Sequence, residues 1–565
     1  MRLANLRYIP QIRTSVVSSF RGINKCEDIA DDEFVEARGV SLRNYPAICS
    51  RSKEGILYKN RIKNKRGAME EIIIREVFYH EGNIFLLSHN KMFNGVKLIK
   101  YENELAEDSV KGSTIIANNN VNLSLFTVTL GSYICIFPIK QIYNTNTNKL
   151  LNMEVSHSET NVVFEPTFNG SAFTRIRIAN ASLFFRKYDA VNISGCINND
   201  FNTTKIITEI TNEYIVVVGK LLQAFTSGDR LVLTRKIPEI KHACEARNRL
   251  WACSDNGKEV YASKLGDPFN FNSFEGIATD SYAATIGSEG EFTACTSFLG
   301  HIYFFKENTI HKVFGDKPSN FQIIDYEAKG VKKGCEKSIC IIDDVMYYAG
   351  VDGIYAYDGT IPVNISKQLG NISFSNVCAG EINGNYIFSI LLEGAEGLRE
   401  DIYIYYPRYK AFILYKSSSG FLTSQLAISK FVKVDNTLFR YNEKEIQEVY
   451  ENIDNTQSFI NDTRQSCLIS KYMQEGTVMH KYITKLLFDI ELGQNSTLVI
   501  SLQYDDDKLW TEVFSTTSES HKTISVPILP RRCKKFRYKI DAIKDFILRA
   551  IVKFIEEGSE VDGFV

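Results

Sequence analysis

The chain repeats one small unit: a strand, a turn of Asn, Asp, Gly or Glu, and a second strand. In VMYYAGVDGIYAYDG, residues 345–359, Met346 and Tyr348 alternate toward Asp352-Gly353, and Ile354 and Tyr355 follow. This is the signature of a tight hairpin, because the turn needs positive φ and glycine supplies it without strain. Similar pairs stand at 77–90 (VFYHEGNIFLLSHN), 131–144, 249–267, 300–316 (GHIYFFKENTIHKVFGD), 384–392 with 401–415, and 436–450. From Arg249 onward their starting points lie about 40 to 50 residues apart, the spacing of propeller blades. The expected fold is all-β, a β-propeller. A content of 29 Tyr and 36 Phe against 11 Pro leans the same way.

The step from Gly131 to Arg249 is more than twice that spacing, which predicts an inserted domain at 152–236. Its short strands TRIRIA, KIITEI, EYIVVV and RLVLTR suit a small β-barrel or sandwich. The predicted order is N-terminal strands and first blades over 1–151, the insert, the remaining blades over 237–462, and a C-terminal β-sandwich over 463–565. One segment is ambiguous. In DAIKDFILRAIVKFIEE, Ile543, Phe546, Ile547, Ala550, Ile551 and Phe554 share a helical face, yet the sandwich needs a closing strand and the segment is read as one.

Lys plus Arg number 66 and Asp plus Glu 67, so no global field draws this chain to nucleic acid or an anionic membrane, and any DNA contact is local. Twelve cysteines scattered from Cys26 to Cys533 form no dense framework and read as reduced, buried small hydrophobes. The N-terminal residues lack the apolar stretch of a secretory signal, and no run of 18 apolar residues occurs, so neither that export route nor a membrane span is expected.

Chemistry-bearing motifs are sparse. His242, Cys244 and Cys253, and the pair Cys335 and Cys340, lack the spacing of a tetrahedral metal site. The segment SDNGKEVYASKL, 254–265, is similar to the Asp-box turn of sialidase propellers without its terminal Trp, which brings a glycan-acting enzyme into consideration. Glu289 and Glu291, and Asp505 to Asp507, are more simply turn carboxylates, and no phosphate loop, HExxH or GxSxG is present. The expectation is no catalytic residue, no cofactor and no metal. Structural weight falls instead on the turn glycines Gly257, Gly353 and Gly359. Two basic stretches, with Arg61, Lys63, Lys65 and Arg66 in the first and Lys535, Arg537 and Lys539 in the second, are candidate partner or DNA contacts. In the second, charges alternate with Phe536, Tyr538 and Ile540, so a solvated amphipathic strand explains it equally.

FRGINKCEDIADDEFVEARGVSLRNYPAICSRSKEG, 20–55, resembles the opening of tailed-phage tail nozzle proteins, also called tail tubular protein B or stabilisation protein. NRLWACSDNGKEVYASKLGDPFNFNSF, 248–274, is similar to that family's blade ending in Ser-x-x-Gly-Asp-Pro-x-x-Phe. The resemblance covers 20–370 loosely and the C-terminal sandwich only by type. It implies a virion tail protein, made in the bacterial cytoplasm, forming a ring of six copies beneath the portal and adaptor. It implies contacts with fibre or spike proteins, retention of packaged double-stranded DNA, and its transient, non-specific passage. A distal tail or baseplate subunit carrying receptor-binding fibres is the alternative within the class. A glycan-binding or glycan-cleaving propeller for host attachment is the alternative outside it.

Overall fold

A computed structural model describes residues 12–63, 69–90, 95–102, 110–117, 125–168, 172–228, 230–394, 397–418, 428–450, 464–475, 480–505, 507–517 and 520–557. The fold is all-β, with propeller blades, an inserted β domain and a sandwich. The chain divides into two compact units, Asn60–Glu336 and the combination of Met1–Lys59 with Lys337–Val565.

The unit Asn60–Glu336 contains four antiparallel meanders of blade type. They run from Arg61–Lys63 to Val110–Ala117, Phe126–Leu130 to Lys149–Asn152, Ile240–Ala246 to Tyr282–Thr285, and Ala294–Phe298 to Gln322–Glu327. Their second strands, such as Tyr133–Phe137, Arg249–Ser254 and His301–Phe305, are buried almost throughout because both faces are covered. Alternate side chains serve different neighbours. Ile134 and Ile136 pack with Phe85 and Leu98 of the preceding blade, while Cys135 and Phe137 pack with Leu250 and Ala252 of the next. In that blade Trp251 and Cys253 turn the other way, to Ile302, Phe304 and Val313.

Between Lys149–Asn152 and Ile240–Ala246 the chain forms an eight-stranded sheet from Val155–Glu159 to Leu231–Arg235, with the short helix Ala181–Phe184. It has a core of its own, built on Phe164, Phe185, Phe201, Ile215 and Leu233.

The other unit holds two separate blade sheets. One runs from Cys340–Ile342 to Val363–Asn364; the second joins Lys430–Val434, Thr437–Tyr441 and Glu445–Val449 to the early strand Leu57–Lys59. Its remaining strands make a ten-stranded and a seven-stranded sheet. The ten-stranded sheet begins as a blade-like meander, Phe374–Ile382 to Ala411–Ser417, and continues through Glu33–Arg38 into Gln465–Ser470, Phe536–Ile543, Thr497–Tyr504 and Thr511–Thr516. The sandwich therefore draws strands from 12–50 as well as from the C-terminal segment, and one of its sheets is continuous with the 374–417 meander. Sequence spacing hides this, because the pairing partners lie hundreds of residues apart.

The segment Phe546–Glu557 is a strand. A bulge interrupts it: Leu548 pairs with Ile490 but Ala550 with Asp489, so Arg549 is the extra residue. The inward set shifts phase there, from Phe546 and Leu548 to Ile551, Lys553 and Ile555. The apparent helical face mixes the two faces of the strand: Phe546 and Ile551 are buried, whereas Ile547, Ala550 and Phe554 are only partly so.

Each meander has a two-residue hairpin turn with positive φ at the first residue, between its second and third strands at Glu81 and between its first two at Gly131, Arg247, Leu299, Asp343, Asn383 and Asp435. In five of them the second residue is also positive, the mirror-image turn whose twist matches paired strands. In the 345–357 hairpin the two turn residues are Val351 and Asp352, and Gly353 at φ 153° opens the next strand opposite Gly350. Gly257 (φ 72°) and Gly359 (φ 101°) are also positive. A Cβ on Gly353 would meet Ser366 Oγ at 2.4 Å, whereas Gly82, at φ 73°, has nothing within 4 Å. Gly353→Val is expected to lower stability by about 2 kcal/mol or more, and Gly82→Asn by under about 1 kcal/mol, measured by urea unfolding.

Candidate functional site

The segment Ser263–Phe271, SKLGDPFNF, is a joint between a blade and the inserted domain. Asp267 Oδ1 accepts from the Phe269 amide at 3.0 Å and closes the turn. Asn270 Nδ2 donates to Asp267 at 2.5 Å and to Asp189 Oδ1 of the insert at 3.3 Å, and its Oδ1 accepts from the Ala190 amide at 3.0 Å. Asp189 is wholly buried and paired with Arg235, which is itself buried. Arg235 also donates to the carbonyls of Met153 (3.0 Å) and Asn152 (3.1 Å), at the point where the insert leaves the blade. Arg186 lies over the Phe269 ring at 3.4 Å. A buried charge pair persists when its remaining lone pairs and protons find partners, and this one does.

A second joint surrounds Gly257. The buried Lys306 ammonium donates to the carbonyls of Gly257 (2.8 Å) and Ser288 (2.7 Å). A Cβ at Gly257 would strike Gly290 O at 2.6 Å. Beside it, His311 Nε2 lies 3.0 Å from Ser288 Oγ at a cavity of about 300 Å³. Burial and then Lys306 push His311 down to about 4, so its ring is neutral at pH 7. A neutral imidazole next to a hydroxyl is half of a nucleophilic pair. Its Nδ1, however, has no acceptor among the described residues, so nothing orients the ring as a relay would.

The basic stretch of Phe536–Ile543 is an interior strand of the ten-stranded sheet with Phe536, Tyr538 and Ile540 inward. Its cations lie on the opposite face against Tyr472 and Trp510. Arg537 stacks 4.4 Å from Tyr472 and 5.0 Å from Trp510 and donates from Nε to Gln503 at 2.7 Å. Lys535 sits 5.0 Å from Tyr472; Lys539 sits 5.5 Å from Trp510 and pairs with Asp541 at 2.7 Å. The aromatic partners are far away in sequence, which is why the stripe alone did not reveal them. In the other stretch Arg61 faces Glu71 at 3.9 Å across a strand pair, while the Lys63 side chain, Lys65 and Arg66 lie outside the described residues.

The remaining motif residues are structural. Glu291 bonds Lys333 (2.8 Å) and Lys241 (3.1 Å), which hold its carboxyl at about 2; Asp507 takes both ends of Arg531. Cys244 lies 3.0 Å from Cys295 and His242 pairs across strands with Cys253; no metal-binding cluster is found among the described residues.

No protein-family model and no curated protein matches the chain. Among solved structures it is similar to phage phi92 endosialidase (9% identity, 78% of this chain and 76% of that one, TM-score 0.29). It is also similar to Sqt1 from Chaetomium thermophilum (10%, 70% and 100%, 0.34) and to Drosophila Semaphorin 2a (7%, 85% and 95%, 0.32). At such scores these likenesses carry no functional argument; the fold class rests on the sheet order itself.

Two outcomes follow from the joints. Asp189→Ala leaves Arg235 buried without its counterion and is expected to cost about 3–5 kcal/mol in urea unfolding, more than the double change Asp189→Leu with Arg235→Met. For His311, whose native value is depressed, stability is fully present above 6.5 and is lost as pH falls toward about 4. The wild-type slope there should exceed that of His311→Gln by up to one proton, about 1.4 kcal/mol per pH unit.

Proposed function

We propose that this chain is a non-catalytic structural subunit of a bacteriophage tail, a nozzle or hub that closes into a ring with copies of itself and holds, then passes, packaged DNA. The carrying observation is the ten-stranded sheet. Arg38 pairs with Leu414 of the blade-like meander on one side, and the Gly39 amide donates to the Leu414 carbonyl at 2.8 Å. On the other side Phe34–Arg38 pairs with Cys467–Ser470 of the sandwich. Force applied to the meander is thus transmitted to the sandwich through backbone hydrogen bonds, which suits a subunit of a load-bearing wall. The same residues, within 20–55, carry the resemblance to tail nozzle proteins.

The state of the cations agrees with a passage that must not grip. Many free phosphate contacts would hold a duplex at moderate salt. Arg537, Lys535 and Lys539 are engaged by aromatic rings, Gln503 and Asp541 within their own sheet. A virion location, and portal or adaptor and fibre or spike proteins as partners, belong to this same reading.

The test is the mass of the purified protein in solution, followed by averaged electron micrographs. A closed ring with an axial hole of about 20 Å or more, enough for B-DNA, is the expected result. A monomer that binds or cleaves a glycan in an array screen would overturn it in favour of a host-attachment propeller.

A further inference from the structure

Within the unit formed by 1–59 and 337–565 there is a cavity of about 500 Å³ whose wall carries Arg38, Arg51, Lys53, Lys416 and Arg464 against a single carboxylate, Glu54. A neighbouring hollow of about 290 Å³ shares Lys53 and Arg464 and adds Arg43. The acidic partners within reach are already occupied. Glu54 Oε1 accepts from Lys416 (2.7 Å) and Arg51 (3.1 Å), and Oε2 accepts from Gln447 (3.0 Å). Burial opposes the charge of Glu54, but Lys416 and Arg51 more than offset it and hold the carboxyl at about 2. Asp545 takes Arg464 at 2.7 Å, and Glu491 takes Arg549 at 2.6 Å.

Among the described residues, what remains is unbalanced positive charge. Lys53 has no ion-pair partner among the described residues, although it lines both hollows. Arg43 donates from Nη1 to Ser52 at 2.9 Å but leaves its buried Nε without an acceptor there. Among the described residues the half-exposed Arg38 has only Glu36 of its own strand, at 3.3 Å. Crowded cations raise one another's cost, and a bound anion relieves it. The wall also shows which anion it suits. A planar carboxylate is already held by a guanidinium, an ammonium and an amide, with the Arg51 guanidinium seated 5.1 Å from the Tyr415 ring. At 56 and 57, just after the cavity segment, Ile56 and Leu57 are each 45% exposed and offer apolar contact.

We propose that this cavity binds a ligand carrying two or more carboxylates, either a small di- or tricarboxylate or an acidic segment of a partner polypeptide. The site shares no residue with the cation stripe of Lys535, Arg537 and Lys539.

The experiment is thermal unfolding and titration calorimetry on the full chain with citrate, a triglutamate peptide and pyrophosphate, each against sodium chloride at matched ionic strength. Citrate or the peptide is expected to raise Tm saturably, and the tighter of the two identifies the source of the carboxylates. Lys53→Gln with Arg38→Gln should bind about tenfold more weakly or worse, while its unliganded Tm shows that it folds. No saturable shift with either carboxylate ligand, stronger stabilisation by pyrophosphate, or undiminished binding by the double variant would each overturn the proposal.

Discussion

The inner blade strands of this protein bury both of their faces, and much of the architecture follows from that constraint. The strand Tyr133–Phe137 gives Ile134 and Ile136 to one neighbour and Cys135 and Phe137 to the other; Arg249–Ser254 does the same with Leu250 and Ala252 against Trp251 and Cys253. A sheet with two apolar faces has no stable existence alone, since each exposed face would forfeit about 25 cal/mol per Å² of apolar surface. Repetition along the chain is the answer to this, because each meander supplies the cover its predecessor lacks.

Such packing leaves little room for polar groups, so those that are buried mark the joints. Asp189, Arg235 and Asn270 bind the insert to its blade, and Lys306 ties the Gly257 turn to the Ser288 loop. Lys553 is buried in the seven-stranded sheet and satisfied by Glu475 at 2.7 Å and Asp31 at 3.5 Å. Asp189, Arg235 and Lys553 meet opposite charges and Lys306 meets two carbonyls, which keeps the desolvation cost from unfolding the elements that carry them. The same accounting singles out the Arg38, Lys53 and Arg43 surroundings, where matching is incomplete.

The motif around 263–271 shows how a family-like signature acquires physical content. In its Asp-Pro-Phe-Asn-Phe run Asp267 closes the turn, Asn270 crosses to Asp189, and the Phe269 ring covers Arg186 and Arg235.

Period-two alternation, aromatic runs and regular hairpin spacing were enough to establish an all-β chain with propeller blades, an inserted β domain and a sandwich. These signals are local, and strand burial writes them directly into neighbouring residues. Turn geometry was only partly legible: Asn383-Gly384 announces its turn, whereas Arg247-Asn248 and Leu299-Gly300 place an Arg and a Leu at positive φ because the strand pairing on either side demands it. Tertiary structure alone decided that Glu33–Arg38 bridges a blade-like meander to the sandwich, that Arg549 is a bulge, and that Arg38, Arg51, Lys53, Lys416 and Arg464 share a cavity. Those outcomes depend on contacts between residues up to hundreds of positions apart, and no pattern read along the chain encodes which distant strand an edge will accept.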